Sequence, residues 1–290
     1  MASWVDGVWH SKDGVRLHYR DYAGEDYRPP IICLPGLTRN GRDFEGVADR
    51  LAGAWRLLCV DLRGRGESGY ASEPSDYSPR VYVEDLEALI AKLALERFVL
   101  FGTSLGGLLT MLLAANDRSR IAGALLNDIG PVIDQAGLDR IRGYVGRSQS
   151  WETWLHAACH FAEAHGHIYP RWTGDEWLVH AKRLCRISST GRIVLDYDLR
   201  IAEPLKTAGG EAGFDMWQAF AALDGVPSLV VRGESSDLLA PETMARMTAE
   251  NRAMEAVTVP NVGHAPTLEE PEAAAAIVRL LARVDTVPRR

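Results

Sequence analysis

The chain has 290 residues, a formal net charge of −7, 47% apolar residues and 24% charged residues. This composition is that of an ordinary globular chain with a sizeable core. The acidic balance weighs against nucleic acid or an anionic membrane as partner. No apolar run is long enough to span a bilayer, the first residues lack the pattern of a signal peptide, and four cysteines are too few for a disulfide framework. The expectation is a reduced, cytoplasmic protein whose arginines are solvated surface with a few ion pairs.

In chain order, 8–10 and 15–22 read as strands of a hairpin turned by Asp13-Gly14. Apolar runs of buried parallel-strand type follow at 31–34, 57–60, 98–101 and 122–126, then at 229–231 and 257–259. Between them lie helical stretches. The clearest covers 81–95, with Val83, Leu86, Leu89, Ile90 and Leu93 on one side. Strands alternating with helices predict a mainly parallel sheet covered on both faces.

The alternation stops between about Pro131 and Leu223. That region holds five of the eight tryptophans and shows helical spacing in Trp151-x-x-Trp154 and Trp177-x-x-x-Ala181. The division expected is a core of 1–131 and 223–290, interrupted by a helical cap over 132–222. Trp151, Trp154, Trp177 and Trp217 are candidates to line a mostly apolar pocket under the cap, or simply to pack it.

Three loops carry the chemistry. Val99 to Gly107 contains Gly102-Thr103-Ser104-Leu105-Gly106 between an apolar strand run and a helix-forming run. That order makes a tight turn that pushes the Ser104 hydroxyl out at the end of the sheet. A serine hydroxyl needs a base and an orienting acid to become a nucleophile. His264 ends the loop after 257–259, and Asp237 lies in the loop after 229–231. The order Ser, Asp, His suits a triad in which His264 takes the proton and Asp237 holds the imidazole. Asp128, just past 122–126, is the alternative acid. Asp61 more simply pins the turn that follows it.

These motifs resemble those of the α/β-hydrolase superfamily over nearly the whole chain. Cys33-Leu34-Pro35-Gly36-Leu37 is similar to its oxyanion-hole loop, and Asp61-Leu62-Arg63-Gly64-Arg65-Gly66-Glu67-Ser68 to its Asp-x-Arg-Gly-x-Gly-x-Ser turn. Gly263-His264 with Glu269-Glu270-Pro271 resembles its histidine loop and last helix. One departure is Pro35 where the family often has His. The resemblance implies an α/β-hydrolase fold with a mostly parallel eight-stranded sheet and a helical cap. It also implies an oxyanion hole made by the backbone N–H groups of Leu37 and Leu105.

The activity implied is hydrolysis of a small or medium apolar carboxylic ester, extending to a lactone or carbamate, without metal or organic cofactor. A carbon–carbon bond hydrolase of β-diketones or ring-cleavage products shares the fold and triad. Its aromatic-degrading members often carry Trp after the histidine, where this chain has Ala265. A non-catalytic ligand receptor is the remaining alternative. His156-x₃-His160, with His165 and His167 behind, has a spacing zinc can use, but no carboxylate stands between the first pair as in zincins.

Overall fold

The computed structural model describes residues 1–206 and 215–285. Strands β1 (Val5–His10) and β2 (Arg16–Tyr22) form the expected hairpin, after which β3 (Ile31–Leu34), α1 (Glu45–Leu51) and β4 (Leu57–Asp61) follow. Helix α2 (Pro79–Lys92) begins with proline at its first turn, where no backbone donor is needed. It buries Val83, Leu86, Leu89 and Ile90. Strand β5 (Phe98–Thr103) runs into α3 (Leu105–Asn116), and β6 (Ile121–Asn127) completes the first half of the sheet.

The region expected as a helical cap holds α4 (Gln135–Tyr144), β7 (Ser150–Trp151), α5 (Trp154–His165), α6 (Gly174–Leu184), β8 (Cys185–Ile187), β9 (Ile193–Leu195) and α7 (Glu203–Lys206). It differs from the expectation in two ways. Strands β7, β9 and β8 form a small antiparallel sheet beside the helices. Helix α8 (Met216–Ala221), expected in the cap, packs on α3 and buries Phe220 in the core. The chain then closes with β10 (Ser228–Gly233), α9 (Pro241–Glu250), β11 (Met254–Val259) and α10 (Pro271–Asp285).

The main sheet has eight strands in the order β1-β2-β4-β3-β5-β6-β10-β11. Only β1 with β2 and β2 with β4 pair antiparallel; the other neighbours are parallel. The α/β-hydrolase architecture implied by the motifs is therefore the one observed. Strand order doubles back between β4 and β5, and the carboxyl ends of β3, β5, β6, β10 and β11 face the cap. Loops that leave those ends are the ones that meet.

Two arginines expected at the surface lie in the interior. Arg63 is fully buried and binds Asp85 through Nε and Nη2 at 2.7 Å each, with Asp13 on its other edge. Arg65 is also fully buried and donates to the carbonyls of Leu37 and Arg63 and to the Tyr82 hydroxyl. The Arg65 contact braces the Pro35-Gly36-Leu37 loop from beneath. Asp61 accepts from the backbone N–H of Gly41 and Glu67, as its turn-pinning role requires.

Two glycines make the turn after β5 feasible. A Cβ on Gly102 would stand 2.3 Å from the Gly106 carbonyl oxygen, and one on Gly106 would stand 2.0 Å from that of Leu34. The obstacles are backbone, which cannot swing aside. Gly102→Ala should therefore cost about 1–3 kcal/mol, read as a lowered urea midpoint at unchanged slope; a wild-type midpoint would contradict the close packing of β5 on α3.

Candidate active site

Ser104 sits between β5 and α3 with φ 52° and ψ −116°, the strained state of a nucleophile elbow. Its hydroxyl faces the cap. Its backbone N–H donates to the carbonyl of Asn127 at the end of β6, which fixes the turn against the neighbouring strand.

His264 comes from the loop after β11. Its Nε2 lies 3.0 Å from Ser104 Oγ. Its Nδ1 lies 2.8 Å from Oδ2 of Asp128, not of Asp237. A carboxylate can only accept, so Nδ1 carries the proton and Nε2 is left free to accept from the serine hydroxyl. The expectation that Asp237 orients the imidazole is thus corrected, and the alternative acid occupies the position.

The reason is local. Asp128 follows β6 with φ 56°, which turns its side chain under the histidine loop. The carboxylate is fully buried and also accepts from the backbone N–H of Gly233 at 2.8 Å and the hydroxyl of Ser236 at 2.6 Å. Ser236 thus fills the space one residue before Asp237. The Asp237 carboxylate turns outward to the cap, where Arg140 on α4 grips it through Nε and Nη2 at 2.5 and 2.9 Å. That guanidinium holds the Asp237 carboxyl below the usual range. Asp237 therefore fastens the first cap helix to the loop that carries Ser236.

The cap is stitched to the histidine loop as well. Gly263 donates its N–H to the carbonyl of Ile168, and the Tyr169 hydroxyl donates to the carbonyl of Ala265 at 2.7 Å. Asn127 adds a donor to the carbonyl of Pro266 at 2.8 Å. Leu37 stands beside Ser104 at the cavity wall, and Leu105 opens α3 directly after Ser104. Among the described residues, neither backbone N–H is taken by a carbonyl of the chain.

Ser104 and His264 open onto a cavity of about 320 Å³ between core and cap. Its lining differs from the sequence expectation. Trp151, Trp154, Trp177 and Trp217 are absent from it among the described residues. Trp177 packs with Tyr169, Trp172 and His180, Trp151 packs on His160 and Phe161, and Trp154 lies partly buried against the core. Trp217 stacks under Arg246 at 3.6 Å. Trp151 and Trp177 pack within the cap, and the wall is mixed: Arg39, Arg140, His165 and His180 stand among Leu37, Ile141, Phe161 and Ile168.

Residues 160, 161, 164 and 165 share one face of α5, a spacing visible in the sequence that marks the cavity side. His156, one turn before His160 on α5, and His167, beyond the end of α5, are exposed. No group of His, Cys, Asp and Glu able to hold a metal occurs among the described residues. Burial pushes the His165 imidazole down to about 4, and Arg39 and Arg140 push the same way. His180 is driven well below its ordinary value, again mainly by burial. Both are therefore neutral at pH 7.

A strained serine at a strand-to-helix elbow, a histidine within reach of it, and a buried carboxylate behind define a hydrolase of the α/β class. The chain belongs to the alpha/beta hydrolase family, whose family model matches residues 31–277. It is 37% identical to the 3-hydroxybutyrate-oligomer hydrolase of Cupriavidus necator over 88% of this chain and 89% of that enzyme. It is 27% identical to the 2-(acetamidomethylene)succinate hydrolase of Mesorhizobium japonicum over 84% of each chain. An alpha/beta hydrolase crystal structure from Novosphingobium aromaticivorans superposes with a TM-score of 0.94 at 55% identity, covering 98% of this chain and 99% of that one. The protein is an α/β-hydrolase enzyme. No helix among the described residues is long and apolar enough to cross a membrane.

Two measurements check this geometry. Asp128→Asn should lower turnover by about 10³–10⁴-fold, and Asp237→Asn by much less; the opposite ranking would return the acid to residue 237. The second concerns pH. His165 has a folded value below its unfolded one, so the unfolded chain binds more protons between about pH 6.5 and about 4. Stability from this group falls as pH drops through that window. His165→Gln should flatten the decline of the urea midpoint between pH 7 and pH 4.5, and an unchanged slope would contradict the burial.

Proposed function

We propose that the enzyme cleaves small carboxylic esters through Ser104, His264 and Asp128. The observation that carries this reading is the single imidazole reaching the serine hydroxyl with one nitrogen and a buried carboxylate with the other. Ser104 Oγ attacks the ester carbonyl carbon while His264 Nε2 takes its proton. Asp128 holds the tautomer and stabilises the imidazolium. The oxyanion that forms is bound by the N–H groups of Leu37 and Leu105, a pair of donors fixed before the reaction begins. Arg65 fixes the first of them by binding the Leu37 carbonyl at 2.8 Å.

The tetrahedral intermediate collapses as His264 gives its proton to the departing alkoxide. Water, deprotonated by the same nitrogen, then attacks the acyl-enzyme and releases the acid and the serine. No cofactor takes part in this sequence, and a small molecule is the partner it requires. Likeness to a 3-hydroxybutyrate-oligomer hydrolase over most of both chains supports ester over carbon–carbon cleavage. Ala265 after His264, where aromatic ring-fission hydrolases often carry Trp, supports it too.

Ser104→Ala should remove hydrolysis of p-nitrophenyl butyrate and of a 3-hydroxybutyrate dimer to within about 10³–10⁴-fold of the uncatalysed rate, with the circular-dichroism spectrum retained. Rapid-quench mass spectrometry of the wild type should show one acyl group on the peptide bearing Ser104. Turnover by the alanine variant at the wild-type rate would end this reading.

A further inference from the structure

The cavity wall sets charged side chains among its apolar ones. Arg39, Arg140 and Arg183 line it, against the single acidic residue Asp43 among the described residues. Each of these guanidiniums is paired with an acidic side chain, so what matters is which of its edges is left over. Arg183 is tied to Glu269 at 2.8 Å and Glu45 at 3.6 Å, both outside the wall. The other two guanidiniums are held differently.

Arg39 grips Asp43 through Nε and Nη2 at 2.6 Å each, and Arg140 grips Asp237 in the same way. Each fork is thus locked along one edge. The Nη1 of each has no carboxylate partner among the described residues. Asp237 itself lies outside the cavity wall, so the Arg140 pair presents its positive half inward.

The two arginines come from opposite sides, Arg39 from the loop after β3 and Arg140 from cap helix α4. Their fields nevertheless reach the same side chains. Tyr144 and His165 line the same wall, and both arginines disfavour protonation of His165. Arg39 also stands close to the nucleophile: a Cβ on Gly36 would lie 3.4 Å from Arg39 Cγ and 3.7 Å from Ser104 Cβ. With His165 and His180 neutral, Arg39 and Arg140 are fixed cations on the wall.

We propose that Arg39 and Arg140 form a carboxylate-binding subsite, so that the natural substrate is an ester carrying a free carboxylate near the scissile bond. A planar carboxylate suits two guanidinium edges held by pre-formed forks, because little side-chain freedom is lost on binding. The inference rests on the ester-hydrolase reading and narrows its substrate to an anionic ester. The carboxylate can belong to the alcohol part, as in an oligomer of hydroxy acids, or to the acyl part, as in a dicarboxylic monoester.

The test uses the purified chain and matched ester pairs. The first pair is 3-(butanoyloxy)butanoate and its methyl ester; the second is monomethyl and dimethyl glutarate. p-Nitrophenyl butyrate reports turnover of a neutral ester. In one pair the free acid should exceed its methyl ester in kcat/KM by about 10–100-fold, mainly through KM, and the pair that shows it identifies the side bearing the carboxylate. Arg39→Lys and Arg140→Lys keep a cation against Asp43 and Asp237 but lose the fork. Each should shrink the acid preference about tenfold or more, through KM of the free acid, at a melting temperature near that of the wild type. Equal rates for acid and methyl ester in both pairs, with p-nitrophenyl butyrate still cleaved, would overturn the carboxylate subsite and leave the ester reading intact. A preference untouched by both lysine variants would overturn the assignment to these arginines. No cleavage of any ester would remove both readings together.

Discussion

The Asp128 carboxylate lies where three separate segments meet. It takes the histidine of the loop after β11, the Gly233 N–H at the end of β10, and the Ser236 hydroxyl beyond it. A carboxylate without exposure to water is tolerable only when its lone pairs are filled by donors. Those donors in turn fix the spacing of β6, β10 and the histidine loop. The constraint runs both ways: the sheet holds the acid in place, and the acid ties together the ends of its strands.

From this centre the contacts spread outward without a gap. Ser236 is followed by Asp237, whose grip on Arg140 fixes helix α4. Tyr169 and Ile168 tie the other cap segment to the loop bearing His264. Arg65, buried under the first loop, holds the carbonyl of Leu37 and so the side of the cavity opposite His264. Pro35 stands where related chains often have a bracing histidine. Arg65 supplies a brace from the adjacent turn.

The cap shows a division of labour among its aromatic groups. Trp172, Trp177, Tyr169 and His180 stack and abut at 3.7 to 6.0 Å, a cluster that gives a small insertion a core of its own. Large apolar rings are most useful where they are covered on all sides. Tyr169 and His180 belong both to this cluster and to the cavity wall, which the tryptophans do not reach among the described residues. This is why tryptophan content marked the cap but not its pocket.

The order of strands and helices, the elbow at Ser104, and the histidine at residue 264 were legible in the chain because each depends on local pattern. Apolar runs mark buried strands, and the glycines at 102 and 106 are demanded by backbone atoms within a few residues or one strand away. The choice between Asp128 and Asp237 was not legible. Both follow a strand, and their order relative to Ser104 and His264 is the same. Only the folded sheet shows that a left-handed residue after β6 brings one carboxylate under the imidazole, while Ser236 and Arg140 draw the other away. The burial of Arg63 and Arg65, the packing of α8 on the core, and the arginines of the cavity were hidden for the same reason. Most of these arise from groups tens of residues apart, and side-chain direction across such distances is set by packing rather than by sequence spacing.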